Sequence, residues 1–175
     1  MNNWDKRFMD MAELVSTWTS CARQGRAIGA IIVKDKRILT TGYNGAPRGR
    51  KNCVDLGYCT REQLKVPRGE RYELCRSVHA EANAIISAQR RDMVGATIYL
   101  VGRDARSGEL LHDATSCPMC RRMIINAGIK GVLNFTSTPL NFPQGIIVEN
   151  YDITTLLEKV AYFVKENEEE SSSDR

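Results

Sequence analysis

The sequence predicts an α/β fold in which helices cover the faces of a mixed β-sheet. Two observations carry this expectation. Ile28 to Lys34 and Arg37 to Tyr43 are apolar-rich runs joined by Asp35-Lys36, the pattern of an antiparallel hairpin. Downstream, from Arg76 to Phe135, the hydrophobic period alternates helix, strand, helix, strand, with no internal repeat.

In chain order, residues 3–20 read as an amphipathic helix with Trp4, Phe8, Met11, Val15 and Trp18 along its core face. The hairpin follows. Residues 44–76 are rich in Gly, Arg and Cys and lack periodicity, and a segment of that length in a compact domain is functional or held by a metal. A helix then runs from Ser77, a good N-cap, toward Arg90; Ala80, Ala82 and Ala84 favour it, and Val78, Ala82, Ile85 and Ile86 supply its apolar face. A strand at Ala96 to Val101 leads through the polar turn Arg106-Ser107-Gly108-Glu109 to a second helix. Pro118 suits the first turn of that helix and Gly128 its end. Lys130 to Phe135 form a strand, Ile146 to Val148 a short last strand, and Asp152 to Lys165 a helix capped by Asp152. Residues 1–165 are therefore expected to form one domain, followed by a Ser/Glu/Asp-rich, disordered tail at 166–175.

At 175 residues, 42% of them hydrophobic, the chain can bury a substantial core. No apolar run is long enough for a membrane span and the first six residues carry no leader pattern, so a cytoplasmic location is expected. Six cysteines are too few for a disulfide scaffold and argue for metal ligation or free thiols. The net charge of +4 hides an acidic tail holding Glu166, Glu168, Glu169, Glu170 and Asp174. The remaining body is more basic. That suits a small anionic ligand, though charge alone would suit nucleic acid as well.

The chemistry concentrates at two helix starts. His79 and Glu81 open the first, where outward-facing N–H groups and the helix dipole favour negative charge. Cys117 and Cys120 open the second, where the dipole favours thiolates. One imidazole and two thiolates give a zinc ion three protein ligands and leave a fourth position open, the mark of a catalytic rather than a structural site. Glu81 is placed to shuttle protons and is not a ligand. A lone Cys-x-x-Cys would be weak evidence; the upstream His-x-Glu makes it strong. His112 reads as a solvated loop residue.

His79-Ala80-Glu81 and Cys117-Pro118-Met119-Cys120 resemble the signature of zinc nucleobase deaminases, and the chain is similar to the cytidine/deoxycytidylate deaminase superfamily. Within it, Gly42-Tyr43-Asn44-Gly45-Ala46-Pro47-Arg48-Gly49, preceded by Ile28 to Val33, resembles the deoxycytidylate (dCMP) deaminases; the likeness covers residues 1–135. It implies a three-layer α/β/α sandwich whose mixed sheet has about five strands, with both metal-bearing helices starting at one sheet edge. It also implies conversion of dCMP to dUMP for thymidylate synthesis, activation by dCTP, inhibition by dTTP, Mg2+ accompanying these triphosphates, and a homo-hexamer. Neither nucleic acid nor membrane is an expected partner. Ala80 N–H is a candidate partner for the base carbonyl, Asn44 for the sugar, Arg26 for the substrate phosphate, and Gly45 with Arg48 for an effector. Arg23, Arg90 and Arg121 are further phosphate candidates. The family signature has Pro before the first Cys, where this chain has Ser116.

Cys21, expected at the end of the first helix, and Cys53, Cys59 and Cys75 can be read as four independently packed thiols. The alternative is a closed four-cysteine zinc site stapling the aperiodic segment, and the resemblance implies that second, structural zinc. Two other functions stay in view: another deaminase of the superfamily, acting on cytidine, guanine or a tRNA adenosine, and a non-catalytic zinc- or nucleic-acid-binding module. Tyr43-Asn44-Gly45 with Pro47 favours dCMP over the first, and the intact Glu81 argues against the second.

Overall fold

Asp35 and Lys36 both adopt left-handed backbone conformations, φ 50° and 61°, as a tight two-residue hairpin turn requires. They join β1 (Arg26–Lys34) to β2 (Arg37–Tyr43), antiparallel, with Gly29 opposite Tyr43 and an irregularity between Ile32 and Val33. The computed structural model describes residues 3–21, 26–67, 69–111, 114–136, 147–148 and 151–152. Before the hairpin lies α1 (Asn3–Ser16). After it come the short helices α2 (Cys53–Leu56) and α3 (Thr60–Gln63), a 3-10 turn at Tyr72–Leu74, then α4 (Ala80–Ile86) and α5 (Arg90–Met93). Strands β3 (Thr97–Asp104) and β4 (Leu110–Leu111), helix α6 (Pro118–Asn126), and strands β5 (Gly131–Thr136), β6 (Ile147–Val148) and β7 (Tyr151–Asp152) complete the order.

The main path of the sheet is β2-β1-β3-β5-β6, with β4 folded back on β3 and β7 on β5. Every pairing is antiparallel except β3 with β5, which are parallel and connected through α6. The expected mixed sheet of five strands with helices on both faces is therefore observed, with two short strands added.

Alternation along the strands builds two cores. Ala30, Ile32, Ile98 and Leu100 face α4 and α6 and pack with Ala80, Ala84 and Ile124. Ile31, Val33, Tyr99 and Val101 face the other way, against Phe8, Met9, Ala12 and Val15 of α1. Ile31, Ile32, Ile98 and Leu100 are fully buried, and each such side chain contributes about 1.5–3 kcal/mol of transfer free energy.

Three expectations are corrected. The first helix stops at Ser16 rather than 20, because Thr17, Trp18 and Thr19 donate to carbonyls three residues back and tighten the last turn. Cys21 consequently lies beyond the helix. The buried stripe is Phe8, Met9, Ala12 and Val15, while Trp4, Met11 and Trp18 are exposed. α1 crosses β1 at Gly29, where a Cβ would lie 2.2 Å from the Ala12 carbonyl oxygen; that approach sets which stripe faces inward. Finally, the N-cap of α4 is His79, not Ser77, and Ile86 is 70% exposed because the helix rests on Ala80 and Ala84.

Gly128 follows the C-cap of α6 with φ 78°, as its place in the sequence predicts. β4 and the helical turns within 44–76 have no periodic signal to reveal them. His112, Arg23, the tail and all but the first residue of the expected 152–165 helix lie outside the described residues. No described helix is long and apolar enough to cross a membrane.

Candidate active site

α4 and α6 lie on the same face of the sheet and begin side by side. His79, as N-cap of α4, leaves the helix with extended backbone (ψ 152°), and Cys117 is the N-cap of α6 with Pro118 just inside. His79 Nδ1 consequently stands 3.4 Å from both Cys117 Sγ and Cys120 Sγ. The three donor atoms lie within 4.8 Å of one another, and no other described group of three such donors does. Zinc–sulfur and zinc–nitrogen bonds of about 2.3 and 2.0–2.1 Å set at tetrahedral angles put N and S about 3.5 Å apart. The donor set therefore fits a zinc ion with one coordination position left over.

Of the two thiols, Cys117 ionises first, pulled down by the hydrogen bond from Cys120 and by that from His79. Cys120 is pushed up by the same shared bond and by burial. The bond to Cys117 raises the His79 pKa. Two thiols and an imidazole sharing protons in this way are poised to exchange them for a cation.

Glu81 is one of two charged residues buried among those described, the other being Arg61. Burial raises its pKa; its own backbone amide, the His79 charge and the Ser116 hydroxyl oppose that shift. A carboxyl so placed can accept a proton and give it back, which is the property a general acid/base needs. It lines a cavity of about 500 Å³ together with His79, Cys117, Ala80, Asn44, Arg26 and Arg121, with Cys120 buried behind. Ala80 is the first residue of α4, so its N–H has no acceptor within the helix.

The other candidate residues divide. Asn44 is buried at the cavity wall and its amide is a clasp: Oδ1 accepts from Ile28 N and Thr19 Oγ1, each at 2.8 Å, and Nδ2 donates to the Arg26 carbonyl at 2.9 Å. One Nδ2 hydrogen remains for a ligand. Gly45 pairs its backbone with Val78 just before the His79 cap, tying the end of β2 to the entry of α4. Arg26 and Arg121 line the cavity, and Arg121 Nε donates to the Ser116 carbonyl at 2.9 Å. Arg48 is on the surface 3.5 Å from Ser87 Oγ, and Arg90 bonds the Asn126 carbonyl; neither lines the cavity.

Cys21, Cys59 and Cys75 approach Cys53 closely enough that their charges, after burial, help push its thiol up to about 11. None of the four thiols forms a disulfide among the described residues, and they are gathered around Cys53 but not drawn together to ligand spacing. Three contributors escaped the sequence reading: Arg61 and Tyr72, which sit in the aperiodic segment and line the cavity, and the Ser116 hydroxyl, buried there without a well-formed bond among the described residues.

A buried carboxylate beside a His/Cys/Cys donor set, at the helix starts of an α/β/α sandwich, is the arrangement of the zinc-dependent nucleobase deaminases. Comparison with known proteins agrees. A family profile described as the cytidine and deoxycytidylate deaminase zinc-binding region matches residues 2–136. The deoxycytidylate deaminase of Mycobacterium phage D29 is 34% identical over 136 residues, covering 75% of this chain and 93% of that protein. The deoxycytidylate deaminase of Schizosaccharomyces pombe is 34% identical over 135 residues, covering 77% of this chain, which spans only 38% of that longer protein. Among solved structures, the dCMP deaminase of cyanophage S-TIM5 in apo form superposes with a TM-score of 0.52 at 28% identity, covering 79% of this chain and 88% of that one. Its complex with dCMP and dUMP gives a TM-score of 0.50 at the same identity, covering 77% and 82%. The chain belongs to the cytidine and deoxycytidylate deaminase family.

Proposed function

We propose that this protein hydrolyses dCMP to dUMP and ammonia. The observation that carries the proposal is the buried Glu81 carboxyl sharing a cavity with His79 and Cys117, whose donor atoms lie within 4.8 Å of one another and of Cys120 Sγ. The relatives named as deoxycytidylate deaminases, and the similar structure holding dCMP and dUMP, support the choice of substrate.

His79, Cys117 and Cys120 would hold zinc, which when bound lowers the pKa of a water ligand from about 16 toward about 7. Glu81 takes a proton from the attacking water and delivers it to N3 of the cytosine ring as the new C4–O bond forms. It then passes a second proton to the amino group. The C4–N bond breaks, ammonia leaves, and a carbonyl remains at C4. The Ala80 N–H orients the base through its own carbonyl, and the spare hydrogen of Asn44 Nδ2 meets the sugar. Arg26 takes the phosphate, with Arg121, which lines the same cavity, available to share it. A paired guanidinium–phosphate contact is worth about 1.5–3 kcal/mol.

Regulation is part of the same proposal: dCTP activating and dTTP inhibiting, each with Mg2+, at a surface site including Gly45 and Arg48, in a homo-oligomer. So is a second, structural zinc held by Cys21, Cys53, Cys59 and Cys75 once their side chains turn inward on a metal. The test is ammonia release from dCMP, deoxycytidine and dCTP, with and without added dCTP or dTTP. A preference of tenfold or more in kcat/KM for dCMP over deoxycytidine is expected. Equal rates on the two would remove the phosphate contact.

A further inference from the structure

Metal-bound histidines are usually held in place by a hydrogen bond from the ring nitrogen that does not face the metal. His79 departs from this. Both described hydrogen bonds of its ring run through Nδ1 to the two thiols. As a helix N-cap it also stands outside the rigid repeat of α4. Among the described residues, no hydrogen bond reaches the other ring nitrogen.

The ring instead meets an aromatic edge-on. The Tyr72 and His79 centroids are 4.8 Å apart with the planes at 86°. On Tyr72 in turn lies the Arg61 guanidinium, its Cζ 5.0 Å from the ring centroid. Arg61 is only 8% exposed, which is unusual for a cation. Its Nη2 donates to the carbonyls of Pro67 (2.8 Å) and Glu70 (2.7 Å), clamping the backbone that leads from α3 to Tyr72. Its Nε is buried with no partner among the described residues. An unmet buried donor is destabilising, so the burial needs a return elsewhere in the structure. A loop clamp alone could be built from a lysine at the surface. The guanidinium joins two contacts in one rigid planar group: Nη2 reaches both carbonyls while Cζ stands over the Tyr72 ring.

We propose that Arg61 and Tyr72 are positioning residues for His79, holding the imidazole so that Nδ1 faces Cys117 and Cys120. Arg61 fixes the segment and stacks on Tyr72, and Tyr72 fixes the ring. The inference rests on the metal reading of the site and is independent of which substrate is deaminated.

The experiment is competition for zinc between the purified protein and a chromophoric chelator, together with the visible spectrum of the cobalt(II)-substituted protein. Loss of an outer partner of a ligating histidine typically weakens metal binding about 10–100-fold. Tyr72→Leu, Arg61→Gln and Arg61→Lys should each weaken zinc retention about tenfold or more and shift the cobalt bands. Tyr72→Phe keeps the ring and should stay within about twofold of the parent protein. The Tyr72→Leu/Arg61→Gln double variant should be no worse than the weaker single one, because the two residues act in series. Wild-type zinc retention in Tyr72→Leu, equal losses in the Phe and Leu variants, or additive losses in the double variant would each overturn the proposal. Should Tyr72→Leu fail to fold, Arg61→Lys against Tyr72→Phe decides by the same spectrum. A parent protein that takes up no zinc would defeat the metal reading itself, a different result from zinc held equally by every variant.

Discussion

A Cβ on Gly42 would stand 2.2 Å from the carbonyl oxygen of Ala80 and 2.4 Å from the amide nitrogen of Ala84. β2 and α4 therefore touch backbone to backbone, and the missing side chain of Gly42 sets the depth at which the active-site helix rests. Ala80 and Glu81 take their positions from that contact. Gly42→Ala forces α4 away from the sheet or strains it in place, costing about 1–3 kcal/mol in stability. Because a displacement near 1 Å can reduce a rate about 10²-fold, activity should fall further than stability does. Thermal melting and steady-state kinetics on the one variant check both; a Gly42→Ala protein with full kcat would show that the close approach does not position Glu81.

Tyr99 links the sheet to α1 through a 2.7 Å hydrogen bond from its hydroxyl to Asp5 Oδ1. Burial first, and then this bond and the Asp5 charge, raise the phenol pKa above its ordinary value, which is about 10. A folded-state value above the unfolded one means that the stabilisation is complete below about pH 10 and is lost as pH rises from there through the folded value. Unfolding measured between pH 7 and 11 should show this alkaline decline. In Tyr99→Phe the decline should flatten, and stability at pH 7 should fall by about 1–2 kcal/mol. Parallel curves for the two proteins would remove Tyr99 from the account of alkaline stability.

The four remaining thiols make a metal-content prediction. Cys53 and Cys59 are buried, Cys21 and Cys75 are half-buried, and the other three act electrostatically on Cys53. If they close on zinc, metal analysis returns about two zinc ions per chain, and Cys53→Ser removes one of them and lowers the melting temperature. One zinc per chain, with melting unchanged in Cys53→Ser, makes them four packed thiols.

Much of this arrangement was legible in the sequence. The hairpin was legible because two apolar-rich runs flank the two polar residues Asp35-Lys36, which take the left-handed conformations of a tight turn. The metal donors follow from residue type and spacing at two helix starts, features that survive an error of one or two residues in a helix boundary. The misplaced cap shows as much: moving it from Ser77 to His79 left the donor set intact. What could not be read was anything set by packing across the chain. Periodicity alone did not distinguish the Phe8, Met9, Ala12, Val15 stripe from the Trp4, Phe8, Met11, Val15 stripe; Gly29 on a neighbouring strand decides it. Asn44 read as a sugar contact, and its clasp on Ile28, Arg26 and Thr19 depends on partners up to 25 residues away. Arg61 and Tyr72 lie in a stretch without period, where no local rule connects either of them to His79.

The central claim is that Glu81 carries the protons of the reaction and does not hold the metal. The most direct measurement is turnover of dCMP by Glu81→Gln alongside its zinc content. Gln fills the same buried space without a titratable proton, so zinc content and melting should match the parent while kcat falls about 10²–10⁴-fold or more. A Glu81→Gln protein that keeps its zinc and more than about a tenth of its turnover would contradict that role.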